Sequence, residues 1–310
     1  MPYLTTKEFA EKWNISQAQV RKYCIQGRIE NAILKDGSWW IPSDTPKPSR
    51  KEPDPTPIPE YAQKLLKERK RRGPHPFYDF IQTNLCYSSN RLASNRLTLK
   101  QVQEIYATNK VSPSFEALTI NDLIETINHF MCFDHVLETS PSRITQEYIQ
   151  SLHHLLMYGT YGDRRDKYRP GEYRKSTYSW KDMKSPAPRA ISSQMSKLIC
   201  EYEHISSPTL EDLLSFHVGF ESIHPFEDGN GRIGRLLLLK ECIRHNIPLF
   251  IIEDKQRATY LKGIRNWEYD RIPLLRTCVD AQKRYSREME TLALIEEHRK
   301  RLARARGIEE

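Results

Sequence analysis

Apolar residues in the larger, C-terminal part of this chain recur mainly three and four positions apart, the spacing of an α-helical inner face, which predicts a mainly α protein. One stretch departs from that period. From Tyr168 to Trp180, β-forming residues alternate around a Pro170-Gly171 turn, and a short hairpin is expected near 168–182. Near the start, Thr5-Thr6-Lys7-Glu8 has the form of a capping box, with Phe9, Ala10 and Trp13 at helical spacing behind it. Ser16-Gln17-Ala18-Gln19 repeats the form, Val20 and Cys24 give a second helix its inward stripe, and Gly27 ends it. Lys35-Asp36-Gly37-Ser38, set between apolar stretches, is a hairpin signal. At the far end, Met289, Leu292, Leu294, Ile295 and Leu302 predict one amphipathic helix over 286–306, packing on the core or on a second subunit.

Between the two parts runs a proline series from Pro42 through Pro46, Pro48, Pro53, Pro55 and Pro57 to Pro59. Proline fixes φ and removes the N–H donor, so such a segment is a semi-rigid spacer outside any core. The expected organisation is a small unit over 1–48, a linker over 49–62 and a large helical unit over 63–310. The stretches LTTKEFAEKWNISQAQVRKYCIQGRI and SWWIP resemble the excisionase and MerR-type winged helix-turn-helix module. That resemblance implies Gln17, Gln19, Arg21 and Lys22 facing a DNA major groove, with Arg28 and Lys35 at phosphates.

Composition narrows the class. With 310 residues, 38% hydrophobic and 28% charged, the chain has the make-up of a globular protein with a sizeable core. Its longest apolar run, Ile247 to Ile252, is closed by Glu253 and falls far short of the ~20 residues a bilayer span needs. The opening MPYLTTKEF lacks the pattern of an export signal, so a cytoplasmic location without membrane contact is expected. Six cysteines with no C-x-x-C pair read as reduced thiols. A net charge of +8 suits polyanionic partners.

The chemistry concentrates in His224-Pro225-Phe226-Glu227-Asp228-Gly229-Asn230-Gly231-Arg232-Ile233-Gly234-Arg235. Gly229-Asn230-Gly231 permits successive N–H groups to point into one concavity, and Leu236 to Leu239 behind it predicts a helix starting near Gly231. Helix N-termini attract anions and disfavour cations by roughly 0.3–1 kcal/mol, so Arg232 and Arg235 in the first turn point to a multivalent anion such as a polyphosphate. Asp228 offers hard oxygen ligation suited to Mg²⁺. His224, with a reference pKa of about 6.5, is neutral often enough at pH 7 to take a proton from a hydroxyl. Together these are the parts for transferring a phosphorus-centred group to an alcohol.

The same string resembles, at all eight specified positions of twelve, the H-x-F-x-(D/E)-G-N-G-R-x-x-R signature of the Fic (Fic/Doc) family, whose members are mostly protein adenylyltransferases using Mg-ATP. The resemblance implies a helical bundle with a β-hairpin flap and a catalytic core over about 150–260. It implies His224 as base, Phe226 as core anchor, Asp228 as Mg²⁺ ligand, Gly229, Asn230 and Gly231 at the α and β phosphates, Arg232 at the β side and Arg235 at the γ-phosphate. In the flap, Arg174, Lys175, Ser176, Thr177 and Tyr178 are expected to dock a target protein by strand addition. Ser88 to Leu99 resembles the family's inhibitory helix, placed near 85–100, with Ser89 and Asn95 in register and Ala93 where that motif carries glutamate. Release from self-inhibition is then expected. AMP transfer to Ser, Thr or Tyr hydroxyls, the chain's own included, is the leading expectation; a DNA-binding regulator with a nucleotide-sensing, catalytically weak domain is the alternative.

Other histidines are assigned to packing. His129, Cys132 and His135 span too wide an arc on a helix to share a metal, His217 supports the loop, and His153-His154 carries no distinct signal. The basic run Lys67 to Arg72 reads as a solvated face.

Overall fold

The computed structural model describes residues 2–25, 29, 32–35, 38–48, 57–71, 75–111, 118–180 and 183–305. In the small unit, β1 (Tyr3–Thr5) leads into α1 (Thr6–Trp13) and α2 (Gln17–Ile25), then β2 (Ile33–Lys35) and β3 (Ser38–Pro42). Thr5 and Glu8 close the expected capping box, and Asn14 ends α1 in the left-handed region. The strands form an antiparallel sheet in the order β1-β3-β2, with Thr5 and Ile33 both opposite Trp40. Phe9, Trp13, Val20, Cys24, Trp39 and Ile41 make its core. The Asp36-Gly37 turn, Gly27 and Arg28 lie outside the described residues.

The large unit is helical: α3 (Glu60–Lys70), α4 (Pro76–Leu92), α5 (Leu99–Thr108), α6 (Ile120–Glu138), α7 (Gln146–Met157), α8 (Tyr161–Arg164), α9 (Ile191–Glu203), α10 (Leu210–Ile223), α11 (Asn230–Arg244), α12 (Arg257–Asn266) and α13 (Ile272–Ala305). Capping boxes at Thr98, Thr119 and Thr209 start α5, α6 and α10. The middle of the bundle is α11, whose Ile233, Leu236, Leu237 and Cys242 are all buried. It packs on α10, α6, α7 and α4, so whatever its N-terminus presents is held by the centre of the core. Among the described residues no helix is long and apolar enough to cross a membrane.

Several boundaries differ from the sequence reading. Helix α3 begins at Glu60, inside the expected linker, and α13 begins at Ile272, fourteen residues before the predicted start, because Leu274, Cys278, Ala281 and Tyr285 already pack into the core. The segment near 85–100 is not one helix: α4 stops at Leu92, Ser94 takes a left-handed φ of 73°, and α5 starts at Leu99. The hairpin is shorter and later than expected. Only β4 (Ser179–Trp180) and β5 (Met183–Lys184) pair, and 168–178 forms no strand among the described residues. Its main-chain N–H groups have other acceptors: Arg174 N donates to Pro225 O, and those of Lys175 and Ser176 donate to the Glu227 carboxylate.

The small unit rests on the C-terminal end of α9. His204 Nε2 lies 2.8 Å from Ala32 O, and Cys200 packs against the small unit's core.

Candidate active site

The loop between α10 and α11 is built by its own side chains. Asn230 is 2% exposed; its Oδ1 accepts from Phe226 N at 2.9 Å and its Nδ2 donates to Phe226 O at 2.8 Å, closing the loop into a ring. Phe226, fully buried, anchors that ring in the core. Gly229 adopts φ +79°, and a Cβ there would lie 2.9 Å from Met157 Sδ, so the left-handed region and the close approach both require glycine. The first bond within α11 runs from Ile233 N to Gly229 O. The N–H groups of Asn230, Gly231 and Arg232 therefore precede it and face out of the helix end, the arrangement that receives an anion. Asn230 thus contributes its main chain there, while its side chain holds the loop.

Both motif arginines lie near that end, in different environments. Arg232 is 2% exposed, its Nη1 3.0 Å from Glu125 Oε1 and its Nη2 3.6 Å from Asp228 Oδ1. The Glu125 contact is close without being aligned as a hydrogen bond, and Nε and Nη1 have no aligned acceptor. Arg235 is half-buried: Nε donates to Ser89 Oγ and Nη2 to Ser89 O. Ser89 and Arg235 are thereby brought together, whereas Ala93, at the end of α4, is exposed.

His224 closes α10 in the left-handed region, φ 50°. Its ring stacks on Tyr178, centroids 3.7 Å apart and planes 4° from parallel. Burial lowers its pKa to about 4, with the Glu221 carbonyl, a hydrogen-bond acceptor for the ring, opposing that shift. The imidazole is therefore neutral at pH 7, as a proton acceptor must be. Burial raises Glu221, on the same helix, to about 7, while Arg235 pulls the other way. Asp228 is exposed, with Oδ1 accepting from Gly229 N at 2.6 Å.

Arg174 behaves differently from the docking role expected of it. It is 2% exposed and donates to the carbonyls of His224 (2.7 Å), Ser176 (2.6 Å), Pro186 (2.7 Å) and Ile223 (3.4 Å). It is a staple between the flap and the main chain at His224. Lys175, Ser176 and Thr177 remain exposed and Tyr178 is half-buried. Glu227, at the motif's unspecified position, accepts from Lys175 N, Ser176 N and Ser176 Oγ at 3.0, 3.1 and 2.6 Å. Sequence reasoning passed over Glu227, Glu125 and His153, because each acts through long-range contacts that no local pattern encodes.

Among the described residues no group of three or more His, Cys, Asp or Glu side chains is placed to hold a metal. His129 is fully buried, and His217 Nε2 meets Tyr260 OH at 2.5 Å. In the small unit, Arg21 and Lys35 are exposed, Gln19 is half-buried, and Gln17 Nε2 donates to Thr6 Oγ1 at 3.0 Å; the side chain of Lys22 lies outside the description.

Residues 143–242 match the family model described as Fic/DOC family. The chain is 28% identical over 178 residues to a protein adenylyltransferase Fic of Nematostella vectensis, covering 56% of this chain and 40% of that protein. It is 42% identical over 53 residues to a probable protein adenylyltransferase of Aquifex aeolicus, 17% of this chain and 16% of the relative. The matched portions are thus less than half of either relative. Among solved structures, a Fic-domain signalling protein of Bacteroides thetaiotaomicron matches with a TM-score of 0.60 at 21% identity, over 72% of this chain and 94% of that one. Fic-1 of C. elegans matches with 0.57 at 20%, over 74% and 70%. These likenesses establish the fold of the large unit.

Proposed function

We propose that this chain, which carries a Fic/DOC family domain over residues 143–242, is a protein adenylyltransferase that moves AMP from Mg-ATP to a Ser, Thr or Tyr hydroxyl of a target protein and of itself. The observation that carries the reading is one helix end at which free first-turn N–H groups lie beside two guanidinium groups, with His224 at the start of the loop that leads into it. His224 takes the proton of the acceptor hydroxyl as its oxygen attacks the α-phosphorus. The bond to the bridging oxygen breaks, and pyrophosphate leaves. The α11 N-terminus, Arg232 and Arg235 hold the triphosphate and balance the charge that builds on the leaving group. Holding the acceptor and phosphorus at one place supplies much of the acceleration, and the base adds about 10² to 10⁴-fold.

The donor set fits magnesium arriving with its nucleotide. Asp228 presents an exposed carboxylate beside the phosphate site, and Mg²⁺ is commonly held by one or two carboxylates with phosphate oxygens and water supplying the rest. Asp228 would hold such an ion, which would supply neutralisation of phosphate charge. The target docks on the exposed part of the flap, Lys175 to Thr177, beside half-buried Tyr178.

The small unit is read as a winged helix-turn-helix, supported by two helices joined at Asn14, a three-stranded sheet, and exposed Arg21 on α2 and Lys35 on β2. Its part in this proposal is to place the enzyme on DNA inside the cell.

The test uses the full chain with Mg²⁺ and ATP labelled at the α-phosphate. Label on the chain or on a lysate protein, lost in His224→Ala while ATP still binds, supports the reading. No transfer under any condition, combined with salt-dependent retention of DNA, replaces it with the nucleotide-sensing regulator.

A further inference from the structure

We propose that His153 is a positioning residue that fixes the catalytic loop to the segment carrying Arg174 through a single tautomer of its ring; the inference rests on reading that loop as the site of AMP transfer. His153 lies on α7 and is 1% exposed. Its Nδ1 faces the main-chain N–H of Gly171 at 2.8 Å, and its Nε2 faces the main-chain carbonyl of Asp228 at 3.1 Å. An N–H can only donate and a carbonyl can only accept. Nδ1 therefore carries no hydrogen and Nε2 carries one. The ring is further clamped face to face on Phe226, centroids 3.7 Å apart and planes 3° from parallel.

What it joins gives the contact its meaning. Gly171 opens the segment that runs through Arg174, and Arg174 holds the carbonyls of Ile223 and His224. Asp228 opens the phosphate side, immediately before left-handed Gly229, and a Cβ on Gly229 would sit 3.5 Å from His153 Cδ2. One ring therefore ties the acceptor side to the phosphate side. A neutral imidazole presents an acceptor on one edge and a donor on the other while offering a flat face to Phe226. Phenylalanine keeps the face and loses both edges; asparagine keeps an acceptor for Gly171; glutamine reaches with a donor toward Asp228.

The experiment measures AMP transfer and the ATP dissociation constant for the full chain and for His153→Phe, His153→Asn and His153→Gln. A histidine ¹⁵N spectrum of the unsubstituted protein at neutral pH accompanies it. The expected spectrum shows an unprotonated Nδ1 and a protonated Nε2 for His153. His153→Phe is expected to lower kcat about tenfold and raise the KM for Mg-ATP, the loss of roughly one hydrogen bond's ordering. His153→Gln is expected to recover most of that loss and His153→Asn less. A folded His153→Phe with unchanged kcat and KM overturns the proposal, and so does a ring protonated at Nδ1. If the substituted chains do not fold, the spectrum alone decides. Absence of transfer by the unsubstituted chain refutes the adenylyltransferase reading instead, and the tautomer and the ATP affinities still decide the role of His153.

Discussion

Arg235 reaches across from α11 to Ser89 on α4, its Nε 3.0 Å from the hydroxyl oxygen and its Nη2 2.8 Å from the carbonyl. Both partners are neutral, and neither competes with phosphate for the guanidinium as a carboxylate does. Ala93 lies one turn further along, exposed at the end of α4. A carboxylate introduced at Ala93 and reaching Arg235 forms a charged hydrogen bond of about 1.5–3 kcal/mol that ATP must displace. Ala93→Glu is accordingly expected to raise the KM for Mg-ATP roughly 10- to 100-fold, the range that energy implies. Steady-state transfer assays with the two proteins side by side make the comparison, and identical KM and kcat would remove Ala93 from any regulatory account.

The second prediction concerns pH and Tyr178. Burial, to which the stacked Tyr178 ring contributes, lowers the His224 pKa to about 4. In the proposed role as base His224 works when neutral, so a depressed pKa extends activity toward acid: the rate is full above the folded value and is lost as pH falls through it. The acid limb of kcat/KM should lie near pH 4 to 5, well below the unperturbed histidine value of about 6.5. Removing the cover in Tyr178→Ala exposes the imidazole and should move that limb upward by about one to two pH units. Glu221, raised to about 7 by burial, is the group expected to produce any inflection near neutrality, and Glu221→Gln should erase it. pH–rate profiles of the three proteins test this; a limb at the same pH with and without Tyr178 contradicts the shielding argument.

Arg174 gives the third. Four main-chain carbonyls converge on a guanidinium that is 2% exposed, so its removal leaves buried acceptors unpaired and frees the flap base from His224. Arg174→Met keeps the apolar stem and deletes the donors. Unpaired buried groups cost about 1–3 kcal/mol each, partly relieved by entering water, so a net loss of about 2–4 kcal/mol in unfolding free energy is expected. Transfer should fall further than unfolding accounts for, because His224 loses its fixed carbonyl. Chemical denaturation and kcat measured on the folded fraction separate the two effects; full activity in the folded fraction would show that Arg174 supports only stability.

What was legible in the chain follows from range. Capping at Thr5 and the left-handed glycine of the loop depend on neighbours within a few residues, and the letters display them, whereas the burial of Phe226, stacked on distant His153, was expected only from the family resemblance. The hairpin was misplaced because alternation from Tyr168 to Trp180 records side-chain type, whereas strand formation depends on where the backbone N–H groups find acceptors. Pro225 and Glu227, about fifty residues away, supply those acceptors. The contacts of Arg174 and His153 were hidden for the same reason. An arginine in a polar stretch looks solvated until the loop it reaches is folded beneath it.

The last prediction tests the least obvious carboxylate, Glu125. It lies on α6, is largely buried, and stands 3.0 Å from Arg232 while accepting from Asn121 Nδ2 at 2.9 Å and Asn95 Nδ2 at 3.3 Å. Asn95 belongs to the turn between α4 and α5, so the carboxylate links that turn to Arg232 and the proposed phosphate site. A buried arginine deprived of its counter-charge is costly, and breaking such pairs typically removes about 3–5 kcal/mol of stability. Glu125→Gln keeps the shape and one acceptor oxygen while deleting the charge. Unfolding free energy should drop by about 2–4 kcal/mol in the absence of nucleotide. The triphosphate then supplies the missing negative charge, so saturating ATP should stabilise Glu125→Gln more than it stabilises the unsubstituted chain. Melting curves with and without ATP measure both terms. If ATP raises the melting temperature of the two proteins equally, Arg232 does not meet the phosphates, and its pairing with Glu125 is a feature of the core alone.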